Sequence, residues 1–179
     1  VNTTVDSINE LKPQSVLEIG AGTGLLLFRI APKVKEYYAT DFSKESIQYI
    51  QNNLNSQNLS NVTLFQKYAD DFSKFNKKTF DTIIINSVVQ YFPDPNYLLR
   101  VLDQAIKHLK PGGSIFLGDV RHHRLLNAFR ASIALHKAAP SLSKKWLRNQ
   151  IDRKVRQEGE LLIDPLFFLF LKEQYSQIN

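Results

Sequence analysis

The chain has 179 residues and no cysteine, and its lysines and arginines exceed its acids by six. This length suits one domain with a hydrophobic core, and the lack of cysteine excludes disulfides, thiolate metal sites and cysteine nucleophiles. No apolar run reaches the length of a membrane span, and no secretory leader is visible. We therefore expect a cytoplasmic protein without membrane contact.

Short apolar runs alternate with helical patterns along the first 120 residues. The apolar runs predict five strands, at 15–20, 36–42, 62–68, 81–88 and 114–120. Periodicity, caps and prolines predict helices at 3–11, 23–31, 44–55, 96–109, 122–138 and 141–157, and a last one after Asp164-Pro165. The alternation predicts a doubly wound, Rossmann-like parallel α/β sheet. Residues 1–121 would form a cofactor-binding core, and residues 122–179 a helical lid on the acceptor side.

The stretch from Val16 to Gly24 predicts a buried strand that runs into a glycine-rich turn. Gly20, Gly22 and Gly24 lack a Cβ, so the backbone can turn tightly and approach a ligand. Glu18 precedes the first glycine by two positions. Asp41 ends the second predicted strand, where an acid can accept hydrogen bonds from both ribose hydroxyls of a nucleotide.

The spacing of these glycines favours one cofactor over another. A nicotinamide dinucleotide site prefers G-x-G-x-x-G, whereas this turn reads G-x-G-x-G with Leu25 after it. Glu18 would also crowd a diphosphate with negative charge, but it suits a ligand with a cationic amino-acid end. The residues after the third strand, Asp70, Asp71 and Phe72, offer an acceptor and a ring to an adenine. The pattern therefore favours S-adenosylmethionine.

The sequence resembles class I S-adenosylmethionine-dependent methyltransferases, and more narrowly the methyltransferase domains embedded in nonribosomal peptide synthetases and polyketide synthases. The resemblance is carried by VLEIGAGTGLLLFRIAP (16–32), ATDFS (39–43), ADDF (69–72), FDTIIINSVVQYFPDPNYLLRVL (80–102), LKPGGSIFLGDVR (109–121) and LLIDPLFF (161–168). It implies that Glu18 and the glycine turn line the methionine part, and that Asp41 with Phe42 lies at the ribose. It further implies Asp70 or Asp71 with Phe72 at the adenine, and Asn86-Ser87 beneath the sulfonium.

The resemblance also implies a sheet that ends in an antiparallel strand pair, whereas only five strands are predicted here. Methionine is absent throughout, including position 1. Together these features predict a piece of a longer enzyme, truncated at its C-terminal end, whose sheet lacks the final pair.

Methyl transfer from a sulfonium requires alignment more than a dedicated acid or base. Candidate catalytic residues follow the fourth and fifth strands: Asp119 and His122 as proton acceptors, and Tyr91 as a wall of the methyl-transfer site. Asp119 has an alternative role in an ion pair with Arg121 or as a helix cap; Tyr91 has one in core packing, and His122 one at an exposed helix start. No spacing of His, Asp and Glu indicates a metal site.

Residues 121–156 hold ten lysines and arginines but only one acid, Asp152. Such a segment suits nucleic acid, an acidic partner or plain solvent. Only Phe129 and Trp146 are aromatic there, which argues against base stacking. The resemblance favours an acyl or peptidyl carrier protein and neighbouring synthetase domains as partners, and N-methylation of a tethered aminoacyl group. The alternatives are O-methylation of a polyketide hydroxyl, a nucleic-acid or stand-alone small-molecule methyltransferase, and a binding module without turnover.

Overall fold

The computed structural model describes residues 1–76, 78–139 and 141–175 of the chain. The chain divides into two compact units, Val1–Val120 and a second that begins at Arg121. The described residues form the strands β1 (Ser15–Ile19), β2 (Glu36–Asp41), β3 (Val62–Gln66), β4 (Phe80–Asn86) and β5 (Leu109–Gly118). The helices of the first unit are α1 (Asn2–Glu10), α2 (Leu27–Ile30), α3 (Lys44–Leu54) and α4 (Pro95–Lys107). Those of the second unit are α5 (Leu126–Lys137), α6 (Lys144–Arg156) and α7 (Leu166–Gln174).

The strands form one parallel sheet in the order β3-β2-β1-β4-β5. The chain builds outward from β1 to β2 and β3, then returns to the other side of β1 for β4 and β5. This reversal of strand order lies between β1 and β4, the place where open α/β sheets bind ligands at the carboxyl ends of their strands. The predicted doubly wound α/β fold is confirmed.

Each face of the sheet is covered by apolar side chains. Tyr37, Ile84 and Val16 pack on one face with residues of α1, α2 and α3. Because side chains alternate along a strand, Leu17 and Ile83 point to the opposite face, and both are fully buried. Aromatic rings add to the core beside them, at centroid separations of 5.5 to 6.5 Å: Tyr38, Phe65, Phe75 and Phe80.

Two predicted helix starts are confirmed by side-chain caps. The Ser43 hydroxyl accepts a hydrogen bond from the Ser46 N–H at 3.0 Å, and α3 begins directly after Ser43, at Lys44. Asp94 accepts from the Tyr97 N–H at 2.9 Å, and Pro95 opens α4. Both caps satisfy backbone donors that a helix leaves free at its N-terminus.

Several predicted boundaries differ from those of the structure, and the backbone explains two of these differences. The second helix begins at Leu27, not at position 23, because Gly20, Gly22 and Gly24 adopt φ values of +77°, +54° and +77° that no right-handed helix allows. The last strand begins at Leu109, not at position 114. Residues 110–113 form an irregularity inside β5, where the register jumps between Phe80 and Thr82 of β4.

In the part of the chain that the structure describes, no helix combines the length and the apolar character that a membrane crossing requires. Residues 176–179, the end of the predicted lid, lie outside the described residues.

Candidate active site

A cavity of about 360 Å³ lies within the first unit, next to the carboxyl ends of its parallel strands. Its lining comes from the end of β2, the segments that follow β1 to β4, and the first turn of α4: Gly20, Asp41, Phe42, Lys67, Tyr68, Ala69, Val88, Tyr91, Phe92, Pro93 and Tyr97. Parallel strands end at a common edge, so residues distant in sequence meet there. Of the predicted site residues, Gly20, Asp41, Phe42 and Tyr91 line this cavity.

The glycine-rich turn is fixed against β2. The N–H groups of Gly20 and Ala21 both donate to the Thr40 carbonyl oxygen, at 2.8 and 3.0 Å. A Cβ at Gly20 would lie 2.6 Å from a methyl group of Val88, whereas one at Gly22 would meet nothing within 4 Å. Gly20 is therefore required for packing as well as for its positive φ, and Gly22 leaves open space beside the turn.

Asp41 presents a carboxylate whose orientation is fixed by two backbone donors. Its Oδ2 accepts from the Gly22 N–H at 2.8 Å, and its Oδ1 accepts from the Ser43 N–H at 2.8 Å. The residue is 6% exposed and lines the cavity. A carboxylate oxygen accepts more than one hydrogen bond, so both oxygens retain capacity for a ligand diol.

Phe42 and Tyr68 form an aromatic pair at the cavity. Their rings are nearly parallel, with an interplanar angle of 7° and centroids 6.4 Å apart. They are 65% and 69% exposed, so their ring surfaces are free to contact a ligand. Planar bases stack on such aromatic faces.

The two adjacent acids after β3 have different surroundings. Asp71 forms a hydrogen-bonded ion pair with Lys67. The hydrogen bond from Lys67, together with those from the Ser73 hydroxyl and N–H, lowers the pKa of Asp71 to about 2. Asp70 accepts a hydrogen bond from the Tyr97 hydroxyl at 2.9 Å. Lys67 and Tyr97 both line the cavity, so each acid contacts the cavity wall. Asp71 is paired with the Lys67 ammonium, whereas Asp70 Oδ2 has no hydrogen-bond partner among the described residues.

Phe72 packs away from this cavity. It is 5% exposed, and its ring lies 6.1 Å from Phe75 and 5.0 Å from His108. It is not among the residues that line the cavity, whose aromatic residues after β2 and β3 are Phe42 and Tyr68. The adenine role expected of Phe72 therefore suits those two rings better.

Glu18 is buried in β1, with 3% of its surface exposed. Its Oε2 accepts a hydrogen bond from the Tyr37 hydroxyl at 2.8 Å. Burial raises the pKa of Glu18 to about 8; the Tyr37 hydrogen bond opposes this rise and the charge of Asp41 adds to it. Glu18 thus lies beneath the glycine turn as a carboxyl that is mostly protonated at neutral pH.

Asn86, Ser87 and Asp119 form a chain of hydrogen bonds at the ends of β4 and β5. The Asn86 amide donates to Ser87 Oγ, and Ser87 Oγ donates to Asp119 Oδ2, both at 2.9 Å. Ser87 and Asp119 have positive φ values of 58° and 52°. Arg121, the ion-pair partner considered for Asp119, instead contacts Glu160 at 2.7 Å.

The second unit is joined internally by arginine–carboxylate pairs. Besides the Arg121–Glu160 pair, Arg124 binds Asp164 through two nitrogens, at 2.8 and 2.9 Å, and Arg130 contacts Glu158 at 2.6 Å. His122 forms an isolated parallel bridge with Ile163 in the same unit. Among the described residues, these pairs leave the lysines and arginines of α6 without an acidic partner within 4.0 Å.

Several cavity residues were not predicted from the sequence, namely Lys67, Tyr68, Val88, Pro93 and Tyr97. Most directly follow β3 or β4, so the rule that ligands bind at strand ends points to them. Tyr97 is the exception, because it lies in the first turn of α4 and reaches the cavity by way of the helix.

Comparison with known proteins agrees with this geometry. A family model described as a methyltransferase domain matches residues 11–163. The chain belongs to this family, and the predicted class, a class I S-adenosylmethionine-dependent methyltransferase, is confirmed.

Two proteins with similar sequences are synthetases much longer than this chain. The chain is 51% identical to chondramide synthase cmdD of Chondromyces crocatus over 180 residues, which cover 100% of the chain and 5% of that protein. It is 34% identical to enniatin synthetase of Fusarium oxysporum over 172 residues, 93% of the chain and 5% of that protein. The chain thus spans only a small part of these relatives.

A solved structure with the same fold is N-methyltransferase NodS from Bradyrhizobium japonicum, in complex with S-adenosyl-L-homocysteine. Its sequence is 19% identical to that of the chain. The alignment covers 96% of the chain and 73% of NodS, and the TM-score is 0.66. At this identity the likeness concerns the fold.

Proposed function

We propose that this chain is the methyltransferase part of a nonribosomal peptide synthetase and methylates the amino nitrogen of an aminoacyl group held on a carrier protein. The observation that carries the proposal is the 51% identity to chondramide synthase along the whole chain. Methyl transfer in such a setting needs a cofactor site, an acceptor site and a way to receive a tethered substrate.

The residues at the cavity fit S-adenosylmethionine. Asp41, oriented by two backbone N–H groups, would accept the ribose hydroxyls, and Phe42 and Tyr68 would stack on the adenine. Asp70 would accept a hydrogen bond from the adenine 6-amino group. The open space beside Gly22 would admit the methionine part, with Glu18 beneath the turn.

Asp119 is the proposed group on the acceptor side. When bound, the cofactor supplies an activated methyl group on its sulfonium. What remains for the chain's own residues is to align the acceptor. Alignment of this kind lowers reaction barriers by about 7–11 kcal/mol. An amine must be neutral to attack, and Asp119, held by Ser87, would accept a hydrogen bond from the ammonium and take its proton. Tyr91 would form a wall beside the methyl group, and His122 is the alternative proton acceptor.

The second unit would receive the carrier protein. Lys145 and Arg148 of α6 are exposed, and none of the described carboxylates forms an ion pair with them. A row of free cations attracts an acidic partner and accelerates its association. We assign residues 122–179 to the acceptor side on this basis, and we place the protein in the cytoplasm, where such synthetases and their carriers would meet.

The test is mass spectrometry of an aminoacyl carrier protein after incubation with the chain and S-adenosylmethionine. We expect the gain of one methyl group on the amino nitrogen. No gain would refute the proposal, whereas methylation of a hydroxyacyl carrier alone would establish the O-methylation alternative. Salt-dependent retention of nucleic acid on a filter, without carrier methylation, would establish the nucleic-acid alternative.

Charge reversal tests the docking surface separately. Lys145→Glu with Arg148→Glu should lower kcat/KM for the carrier-bound substrate about tenfold, in line with the loss of electrostatic steering, and leave a small aminoacyl thioester unaffected. The matched control is Lys33→Glu with Lys35→Glu, two exposed lysines of the first unit. Equal effects of the two double variants on the carrier substrate would refute this role of α6.

A further inference from the structure

Asp70 joins the loop after β3 to the first turns of α4. Its Oδ1 accepts a hydrogen bond from the Tyr97 hydroxyl at 2.9 Å, and its Oδ2 lies 3.9 Å from Arg100 Nε. The Arg100 guanidinium lies over the Tyr97 ring, 5.0 Å from its centroid. Three side chains from two segments therefore form one cluster, which Tyr97 connects to the cavity.

Tyr97 is held more firmly than Asp70. Its backbone N–H is bonded by the Asp94 cap at 2.9 Å, and its ring packs edge-on against Phe92 with centroids 4.8 Å apart. Asp70 lies in a turn between β3 and β4, outside any helix or strand. Tyr97, on a capped helix, therefore constrains the position of Asp70, which lies in a loop.

The hydroxyl of Tyr97 remains a donor over the working pH range. Burial, then the hydrogen bond to Asp70 and its charge, raise the pKa of Tyr97 above its usual value of 10.0. Its single proton is directed at Oδ1. Oδ2 is left with a cation at 3.9 Å, beyond hydrogen-bond length, and keeps its capacity as an acceptor.

We propose that Tyr97 and Arg100 are positioning residues that orient the Asp70 carboxylate so that its free oxygen accepts the 6-amino group of the cofactor's adenine. The site would thereby select a 6-aminopurine over a 6-oxopurine, because a 6-oxo group turns an acceptor toward the carboxylate. The inference rests on the proposed function, which gives Asp70 to the adenine. Sites built to hydrogen-bond a donor reject analogues that lack it, since the acceptor is left unpaired.

The probes are S-adenosylhomocysteine and its inosine analogue, S-inosylhomocysteine, titrated calorimetrically into the full chain. We expect the unchanged chain to prefer the adenosine ligand at least about tenfold, the value of a hydrogen bond to a charged group. Tyr97→Phe should weaken adenosine binding about fivefold or more, change inosine binding less than about twofold, and so reduce the preference. Tyr49→Phe, at an exposed tyrosine of α3, is the matched control and should leave both affinities unchanged.

A structural role alone would weaken both ligands equally, and an unchanged preference in Tyr97→Phe would overturn the inference. A double-mutant cycle sharpens this result: in an Asp70→Asn background, Tyr97→Phe should have no further effect on the preference. If Tyr97→Phe fails to fold, Arg100→Gln replaces it, since that side chain is 57% exposed. A chain that binds neither ligand refutes the proposed function, whereas binding without preference refutes the role of Asp70 and this inference alone.

Discussion

The buried carboxyl of Glu18 makes the stability of this fold depend on pH. Burial raises its pKa from 4.5 to about 8, with Asp41 adding to the rise and the Tyr37 hydroxyl opposing it. Between these two pH values the folded chain keeps a proton that the unfolded chain has released. The resulting stability is complete below pH 4.5 and is lost as the pH rises toward 8. The loss is about 1.4 kcal/mol for each pH unit within this window, or about 5 kcal/mol across it.

Glu18→Gln tests this magnitude. Glutamine keeps the size of the side chain and an oxygen that accepts the Tyr37 hydrogen bond, but it does not ionise. From pH 5 to pH 8 the free energy of unfolding in urea should fall by about 4 kcal/mol more in the unchanged chain than in the variant. Glu10→Gln, at an exposed carboxyl of α1, is the control and should behave as the unchanged chain. The same pH slope in Glu18→Gln and the unchanged chain would refute the reasoning.

Three further substitutions test the turn and its acid. Asp41→Asn should weaken S-adenosylhomocysteine binding at least about tenfold by calorimetry, because an amide has one acceptor oxygen where the carboxylate has two; Asp103→Asn, on α4, should not, and equal losses would contradict the assignment. Gly20→Ala should lower the free energy of unfolding in urea by about 2 kcal/mol or more, since its Cβ would lie 2.6 Å from Val88. Gly22→Ala should cost about 1 kcal/mol, the strain of its positive φ alone, and the reverse order would show that packing does not limit Gly20.

The fold follows from local patterns. Apolar runs and caps such as Ser43 and Asp94 are properties of neighbouring residues, so the strands and several helix starts were predictable. The start of α2 was not, because a periodic pattern does not reveal that Gly24 adopts a φ of +77°. Parallel pairing also implies that strand ends meet, which is why Gly20 and Asp41, distant in sequence, line one cavity.

Side-chain choices within the site depend on contacts that lie far apart in the sequence. Asp70 and Asp71 are equivalent acids in the sequence. Asp71 is bound by its near neighbours Lys67 and Ser73, but the residue that connects Asp70 to α4 is Tyr97, 27 residues away. Phe72 next to them could face either the cavity or the core as far as the pattern tells. Its packing against His108, beyond the end of α4, decides for the core. Sequence periodicity contains no information about such pairings.

Backbone strain gives an argument for the acceptor side that does not depend on resemblance. Ser87 and Asp119 each adopt a left-handed φ, which costs most residues with a Cβ roughly 1–2 kcal/mol and aspartate less, and each directly follows one of two paired strands. Their hydrogen bond, the Ser87 N–H bond to the Gly118 carbonyl at 3.1 Å, and the contact of Asn86 with Gly118 hold the two strained residues in place. Neither turn is needed to close the sheet, since β4 and β5 are already paired along their length. Strain that neighbours maintain in this way is typical of functional sites, so the conformation supports the proposal that Asp119 is the carboxylate that meets the acceptor.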